Sequence, residues 1–530
     1  VKFVWDSDNR RFVTKTHCPW PECGAHVQPM HEDGLLGWCE ACDRPYETIL
    51  LAPDGGGAPV EWTLRPESAF NTYTGQPVLR YSPADWSECQ GSPDRAGVGD
   101  DPRGKVFGRP QQDHTWKLKE GWQVESIAPE ETNEVGDSIA SLAVMRGNVL
   151  AISRRGRIGV LDPDSGHART QRPIEWPGHP RPDARNPVDQ PPAIRGTRMV
   201  LVSPRQALFR DLGPQLFRTQ GGRARGAHRL IQPTDPSRRF VGPPMGIDRP
   251  DRPRFALLEA RLNPTRSGLE KPVLRVFEVD GQEICQVAAQ GLARGPVYAR
   301  SLDLILWLDA AGFVHRLPGQ ALLEAQPEAQ PVLISEQILD LRPSLYPTLA
   351  VAPNARGELE LWVASGDTEN PTLQLSRCNL EEALRRDEAR WVRRSLGGRG
   401  AVNGLSVGRG PNHDANASGL LLSVSTDQAV YSYPKELVDS MEHATARGHD
   451  TAERRGSWDP PIITGAGVIA RVSGSVQLMS NGMGWHAMRT ERAAVHSRYN
   501  EAQGLALYGR RVFYGRGMGV GCFLLSKEKV

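Results

Sequence analysis

Leu304-Ile305-Leu306-Trp307, a turn at Ala311-Gly312, then Phe313-Val314-His315-Arg316-Leu317 is the stretch on which the fold is decided. A short apolar run, a turn containing glycine and a second run with polar residues interleaved reads as a β-hairpin. The pattern recurs in both directions. Upstream, Val149-Leu150-Ala151-Ile152 turns at Arg155-Gly156 into Ile158-Gly159-Val160-Leu161. Met199-Val200-Leu201-Val202 leads to Ala207-Leu208-Phe209, and Phe255-Ala256-Leu257-Leu258 to Val273-Leu274-Arg275-Val276-Phe277. Downstream, Leu359-Glu360-Leu361-Trp362-Val363 leads to Leu373-Gln374-Leu375. Leu420-Leu421-Leu422-Ser423-Val424 leads to Val430-Tyr431-Ser432-Tyr433, and Val468-Ile469-Ala470-Arg471-Val472 to Val476-Gln477-Leu478-Met479. Markers at 149, 200, 256, 305, 361, 421 and 469 stand 48 to 60 residues apart.

Seven strand-rich units of about fifty residues match one blade per repeat. A weaker strand precedes each core strand, as at Gly295-Pro296-Val297-Tyr298-Ala299 and Pro461-Ile462-Ile463-Thr464. Period-two alternation predicts that each strand buries one face, as stacked four-stranded blades require. A last segment, with strands near 505–508, 512–514 and 522–525, is expected to add a half-blade and to close the ring against early strands. Residues 121–530 therefore resemble a β-propeller of the general WD-repeat and quinoprotein-like kind. About seven blades are expected, with six to eight compatible, and two-sheet sandwiches are the alternative all-β reading. The specific signatures are missing: Trp458-Asp459 precedes two prolines and does not recur at blade ends, and no repeated Asp box is visible.

Helical interruptions follow three consecutive repeats. They are Gln320–Ala325, Asn379–Arg390 with Asn379 as N-cap, and Pro434–His443 with Pro at a helix start. One recurring position puts them on one face of the ring, as connector decoration or as a docking rim.

The N-terminus carries a different signal. Cys18-Pro-Trp-Pro-Glu-Cys23 and, after the fifteen residues 24–38 that open with Gly24, Cys39-Glu-Ala-Cys42 are two tight thiol pairs. Two such turns facing each other place four thiolates on a tetrahedron, which closes the coordination shell of Zn²⁺ and leaves no open position for chemistry. Residues 1–52 resemble a zinc ribbon, which implies a structural zinc at Cys18, Cys23, Cys39 and Cys42. The first pair has four intervening residues where two are commoner, leaving His17 or His26 as substitute ligands; a rubredoxin-like iron site is the minor alternative. A segment this short folds largely by binding its metal. Residues 53–120, with Gly55-Gly56-Gly57 and Pro- and Gly-rich polar sequence, read as a linker or extended arm. The division expected is thus 1–52, 53–120 and 121–530.

Composition agrees with an all-β chain. The 54 Gly and 43 Pro make nearly one residue in five, which disfavours a helical enzyme. No run approaches the roughly 18 apolar residues of a membrane helix. Residues 1–16 have no apolar stretch and are not read as a signal peptide. Four clustered cysteines and four scattered ones suit metal binding in a reducing cytosol better than a disulfide framework. Only nine of the 64 basic residues are Lys, a bias that suggests a GC-rich bacterial genome.

The catalytic motifs are weak. Gly404-Leu405-Ser406-Val407-Gly408 matches a nucleophile elbow, but Arg409-Gly410-Pro411-Asn412 cannot begin the helix an elbow requires, so a strand ending in a loop is expected. His413 and Asp414 follow without a spatial argument for a triad. Gly99 to Lys105 matches the spacing of a phosphate loop, but Val106 replaces the Mg²⁺-binding hydroxyl and Pro102 sits inside. Gly515-Arg-Gly517-Met-Gly519-Val-Gly521 reads as a hairpin, and His315 as a satisfied strand residue. One charge feature stands out: residues 154–239 hold seventeen Arg, no Lys and seven acids. Arg218, Arg223, Arg225, Arg229, Arg238 and Arg239 are the candidates for contact with phosphate or an acidic partner, against a plain reading as a solvated loop.

The functional expectation is a non-catalytic protein-interaction scaffold in a bacterial cytosolic assembly, with other subunits as partners and no small-molecule substrate. The layout resembles propeller components of bacterial MoxR/von Willebrand A conflict systems, which implies a defence role. The alternatives are nucleic-acid binding by the ribbon and Arg-rich loops, and a propeller hydrolase or quinone-dependent oxidoreductase.

Overall fold

The computed structural model shows an eight-bladed β-propeller. It describes strands within residues 4–66 and, apart from short gaps, residues 114–128, 137–212, 228–262, 269–409, 420–434, 447–450, 459–488 and 504–529. The chain divides into two compact units, Val1–Ser82 and Pro83–Val530.

Each blade is an antiparallel meander whose first strand is innermost. Blade 1 is built on Ile139–Met145, Asn148–Ser153 and Ile158–Leu161. Blade 2 runs from Ala193–Arg195 to His228–Ile231, and blade 3 from Met245–Asp248 to Glu283–Ala288. Blade 4 runs from Leu292–Ala299 to Gln330–Ile334, and blade 5 from Leu349–Pro353 to Val392–Arg399. Blade 6 runs from Val402–Arg409 to Arg447–Asp450, and blade 7 from Ile462–Thr464 to Gly484–Met488. Blade 8 combines Leu505–Tyr508, Arg511–Arg516 and Gly519–Lys529 with His114–Val124 as its outermost strand. The last and first strands of the propeller pair from Val520 opposite Val124 to Lys529 opposite His114. The final segment is therefore a full blade completed from the other end of the chain.

The alternation rule needs one correction. Second strands are buried on both faces, because a blade is a layer between two others. In blade 4, Ile305, Trp307 and Leu317 pack toward blade 3, while Leu306, Leu308 and Val314 pack toward blade 5. In blade 1, Val149 and Ala151 join blade 8, while Leu150 and Ile152 join blade 2. That is why these strands read as unbroken apolar runs. Each such side chain contributes about 1.5–3 kcal/mol relative to exposure, so the core is a set of seams between blades.

Among the described residues blade 1 has no regular fourth strand. Ala168 and Ile174 bridge to Leu161 and Ile158 at its outer edge instead, with Ile158 and Ile174 exchanging backbone hydrogen bonds of 3.0 and 2.8 Å. Of the expected helices, the first is described only in part: Gly319–Leu323 is a 3₁₀ helix, and 324–325 lie outside the described residues. The second is Leu380–Arg386, capped by the Asn379 side chain accepting from Glu382 N–H. It stops at Asp387, which has φ +54°, and Glu388–Ala389 then pairs in parallel with Leu333 and Ile334 of blade 4. Both helical segments connect a third to a fourth strand, which places them on one face of the ring. The third, beyond Pro434, lies outside the described residues.

In the N-terminal unit, Thr16–His17 pairs with His26–Val27, and Leu36–Cys39 pairs with Arg44–Leu51, which continues to Glu61–Pro66. Cys18, Cys23 and Cys42 lie outside the described residues, and Cys39 is described only as the end of its strand. Most of 53–120 also lies outside them.

Candidate interaction face

In an antiparallel meander, successive connections alternate between the two ends of a blade. The turns joining second to third strands therefore share a face with the straps that lead into each innermost strand. The first strands of successive blades lie side by side around the axis, so this face surrounds one mouth of the central channel.

Short polar side chains fasten the turns. In blade 1, buried Asp137 accepts from Ser153 Oγ at 3.0 Å and from Arg155 N–H at 3.2 Å, with Arg157 Nη1 at 3.6 Å. Burial pushes its carboxyl pKa up, against the lowering effects of Ser153, Arg155 and Arg157. In blade 2, Ser203 Oγ accepts from Gln206 N–H at 3.2 Å. In blade 4, Asp309 accepts from Ala311 and Phe313 N–H at 3.0 and 2.9 Å, and lies 3.1 Å from His315 Nε2. In blade 6, Thr426 Oγ1 accepts from Ala429 N–H at 3.0 Å. These groups do the work of Asx- and ST-turns.

Straps then bond to the turns. Val188 N–H donates to Arg154 O, Phe240 N–H to Pro204 O, and Leu339 and Leu341 N–H to Ala311 and Ala310 O. Ala401 N–H donates to Asp427 Oδ1 at 2.8 Å. The backbone of the face is thereby hydrogen-bonded into the ring, as its burial requires.

Two exposed strap side chains influence each other's charge state. Asp189 lies four residues before the innermost strand of blade 2, and Tyr346 three before that of blade 5. Tyr346 is 44% exposed. Burial and the Asp189 carboxylate both push its phenol pKa up. Asp189 is solvent-accessible yet enclosed by protein; burial raises its pKa, against the Gln190 hydrogen bond and the charge of Arg154. Tyr346 in the strap of blade 5 thus lies within electrostatic reach of Asp189 in the strap of blade 2.

The arginines singled out by charge are not brought together as one patch among the described residues. Arg238 donates to Glu259 at 3.3 Å and to Lys271 O at 2.9 Å. Glu259 is fully buried and also accepts from Arg275 Nη1 at 2.9 Å and from Thr234 N–H at 3.1 Å. Arg275 continues to Glu283 at 2.6 Å. Arg239 is half-buried in a two-residue strand, and Arg229 is exposed on the outer strand of blade 2. Arg218, Arg223 and Arg225 lie outside the described residues. The Glu259–Arg275 network escaped sequence reading because one acid inside Phe255-Ala-Leu-Leu-Glu259-Ala carries no signal of its partners.

Ser406 sits within the strand Val402–Arg409, fully buried, its Oγ donating to Pro461 O at 2.5 Å. That is the strand expected, and a buried hydroxyl held by a carbonyl is not an exposed elbow nucleophile. His413, Asp414 and residues 99–106 lie outside the described residues. His315 stacks on Trp307 with ring centroids 5.3 Å apart. Arg511–Arg516 and Gly519–Lys529 form the expected hairpin. No helix among the described residues is long and apolar enough to cross a membrane.

No family model and no curated protein matches the chain. Among solved structures it is similar to the computationally designed Ika8 protein, at TM-score 0.46 and 11% identity over 77% of this chain and 100% of that one. It is similar to BamB from Moraxella catarrhalis at TM-score 0.42 and 12% identity, and to Sqt1 from Chaetomium thermophilum at 0.43 and 13%, each over 77% of this chain and 100% of theirs. The WD40 domain of Pan2 from Neurospora crassa matches at TM-score 0.39 and 9% identity, over 80% and 98%.

Proposed function

We propose that the chain is a non-catalytic scaffold that binds other proteins on the face of straps and turns, within a bacterial cytosolic assembly. The observation that carries this reading is the bracing of that face: straps and turns from several blades are tied by backbone and short-side-chain hydrogen bonds, while Tyr346 and Asp189 in its straps remain accessible. A rigid platform loses little entropy on docking a partner. The assembly proposed is of the MoxR/von Willebrand A conflict type.

The N-terminal unit is proposed to hold a structural zinc. Cys18 and Cys23 fall in the segment joining the paired strands Thr16–His17 and His26–Val27. Cys39 and Cys42 fall at the turn joining Leu36–Cys39 to Arg44–Leu51. Two hairpin turns each carrying a thiol pair fit a tetrahedral four-thiolate site.

A photo-crosslinking residue at position 346, introduced in the native host, tests the scaffold. One protein captured at 346, and lost on Asp189→Lys, is expected. Crosslinks equal to those from position 509 on the opposite face would overturn the reading. Metal analysis tests the ribbon: one zinc per chain is expected, lost in Cys39→Ser/Cys42→Ser, and purified protein without metal would refute it.

A further inference from the structure

The outer edge of each blade is a row of backbone donors and acceptors that invites another strand. This chain treats its edges unequally. Blade 1 is bridged by Ala168 and Ile174, and blade 4 is covered by Glu388–Ala389. Blades 2, 3, 6 and 7 end on strands of four to six residues. Blade 8 ends on eleven residues whose charges are of mixed sign, Lys117 and Lys119 with Glu120. Blade 5 is different. It ends on eight residues, Val392–Arg399, which among the described residues pair only with Thr372–Asn379 inside the blade.

The charge at this edge has one sign. Residues 385–399 hold six arginines and two acids. The acids are engaged: Asp387 by Arg316 at 3.1 Å and Glu388 by Arg390 at 3.7 Å. Glu381 and Glu382 on the neighbouring helix are taken by Leu359 N–H and Arg386. Exposed Arg393 donates to the neutral Gln374 amide, and exposed Arg385 and Arg399 have no acidic partner among the described residues. The far end of the strand is anchored: Arg399 N–H donates to the Tyr431 hydroxyl, and its carbonyl accepts from Thr426 Oγ1 at 3.1 Å. The pairing with Thr372–Asn379 is regular over Val392–Ser395, breaks at a bulge and resumes at Arg399, so the edge open among the described residues is a regular template of about four residues under a surplus of guanidinium.

We propose that the outer edge of blade 5, over Val392–Ser395 and the bulge that follows, binds an acidic segment of a partner protein as an added antiparallel or parallel strand. Backbone pairing supplies alignment, and Arg393 and Arg399 select carboxylates. A nucleic acid would satisfy the charge but not the strand-spaced donors and acceptors, so the edge favours a peptide. The proposal extends the scaffold reading to a second surface and does not depend on the strap face.

The probe is a fluorescent acetyl-(Thr-Glu)₄-amide, read by anisotropy with the full chain. Saturable binding is expected, with new amide protection confined to 392–395 in hydrogen exchange. Arg393→Glu/Arg399→Glu should weaken it at least tenfold while the circular dichroism and thermal midpoint stay unchanged. Three results would overturn the proposal: no binding at 50 mM salt, equal binding of the same peptide with alternate amides N-methylated, or equal binding of an eight-nucleotide oligothymidine. A strap-face crosslink at 346 that persists alongside any of these would leave the scaffold standing and remove only this edge.

Discussion

Gly519→Ala tests how the ring is closed. Gly519 opens the third strand of blade 8, beside the strand supplied by His114–Val124. A Cβ at 519 would lie 1.9 Å from Val124 O and 2.6 Å from Glu125 O. Ordinary contact begins near 3.4 Å, so backbone on one side must retreat by more than an ångström. The retreat strains the Val520–Val124 pairing and the bond from Ile127 N–H to Met518 O at 3.0 Å. Overpacking of this kind costs about 1–3 kcal/mol, and a lost hydrogen bond adds about 0.5–1.5 kcal/mol. A seam weakened by about 2–4 kcal/mol opens some 30- to 1,000-fold more often, at roughly 1.4 kcal/mol per tenfold. Hydrogen exchange with mass spectrometry reads this directly: peptides from 114–124 and 519–529 should accelerate, while 253–278 in blade 3 stays near the parent rate. Gly509→Ala is the control, since its φ of +57° brings strain but nothing lies within 4 Å of its Cβ. Seam exchange within twofold of the parent, or equal acceleration by Gly509→Ala, would refute the closing role assigned to this contact.

Glu259→Gln should lower stability by about 3 kcal/mol, because it strands Arg275 and Arg238 in the interior. Urea unfolding followed by tryptophan fluorescence checks this, and a loss under 1 kcal/mol would mean that Glu283 alone suffices. Burial pushes Cys285 up to about 11 and Cys378 and Cys522 up to about 12; all three should resist Ellman's reagent at pH 8 until the protein unfolds. The Asp235 carboxyl is held down to about 2, first by Ser237 N–H and Oγ and then by Arg261. Its folded pKa lies below the unfolded value near 3.9, so its contribution is present above that value and lost as pH falls through about 2; a carbon-detected NMR titration with a midpoint near 4 would contradict the turn.

The blades were legible because their second strands are sandwiched. Leu304-Ile305-Leu306-Trp307 must be apolar at every position, and a marker that dense survives seven repeats of divergent turns. The eighth blade was harder to see. Its second strand, Val512-Phe513-Tyr514, is hemmed by Arg511 and Gly515, and its outermost strand lies nearly four hundred residues away in sequence. Local periodicity carries no information about a partner at that distance. The face was legible only in outline. Ser153, Ser203, Asp309 and Thr426 recur at the ends of second strands, yet their role depends on which N–H groups the turn exposes. Asp189 and Tyr346, in straps without repeat character, left no trace.

Charge shows most clearly where composition misleads. The seventeen arginines of 154–239 suggest a binding surface, but many are internal fittings. Arg157 meets Asp137 and Glu175, Arg169 meets Asp162, Arg198 meets Asp211, and Arg238 meets Glu259. Arg205 and Arg210 spend their donors on the carbonyls of Pro236 and Glu175. Such arginines pin straps to blades, which is a use for a planar fork of five donors that lysine could not serve. The 385–399 stretch looks milder in sequence because acids are interspersed. Those two acids are consumed by Arg316 and Arg390, and Arg386 is taken by Glu382 on the helix, so the residual charge on the open edge belongs to Arg393 and Arg399. A surplus available to a partner is what remains after internal pairing, and at the edge of blade 5 that remainder is set by Arg393 and Arg399.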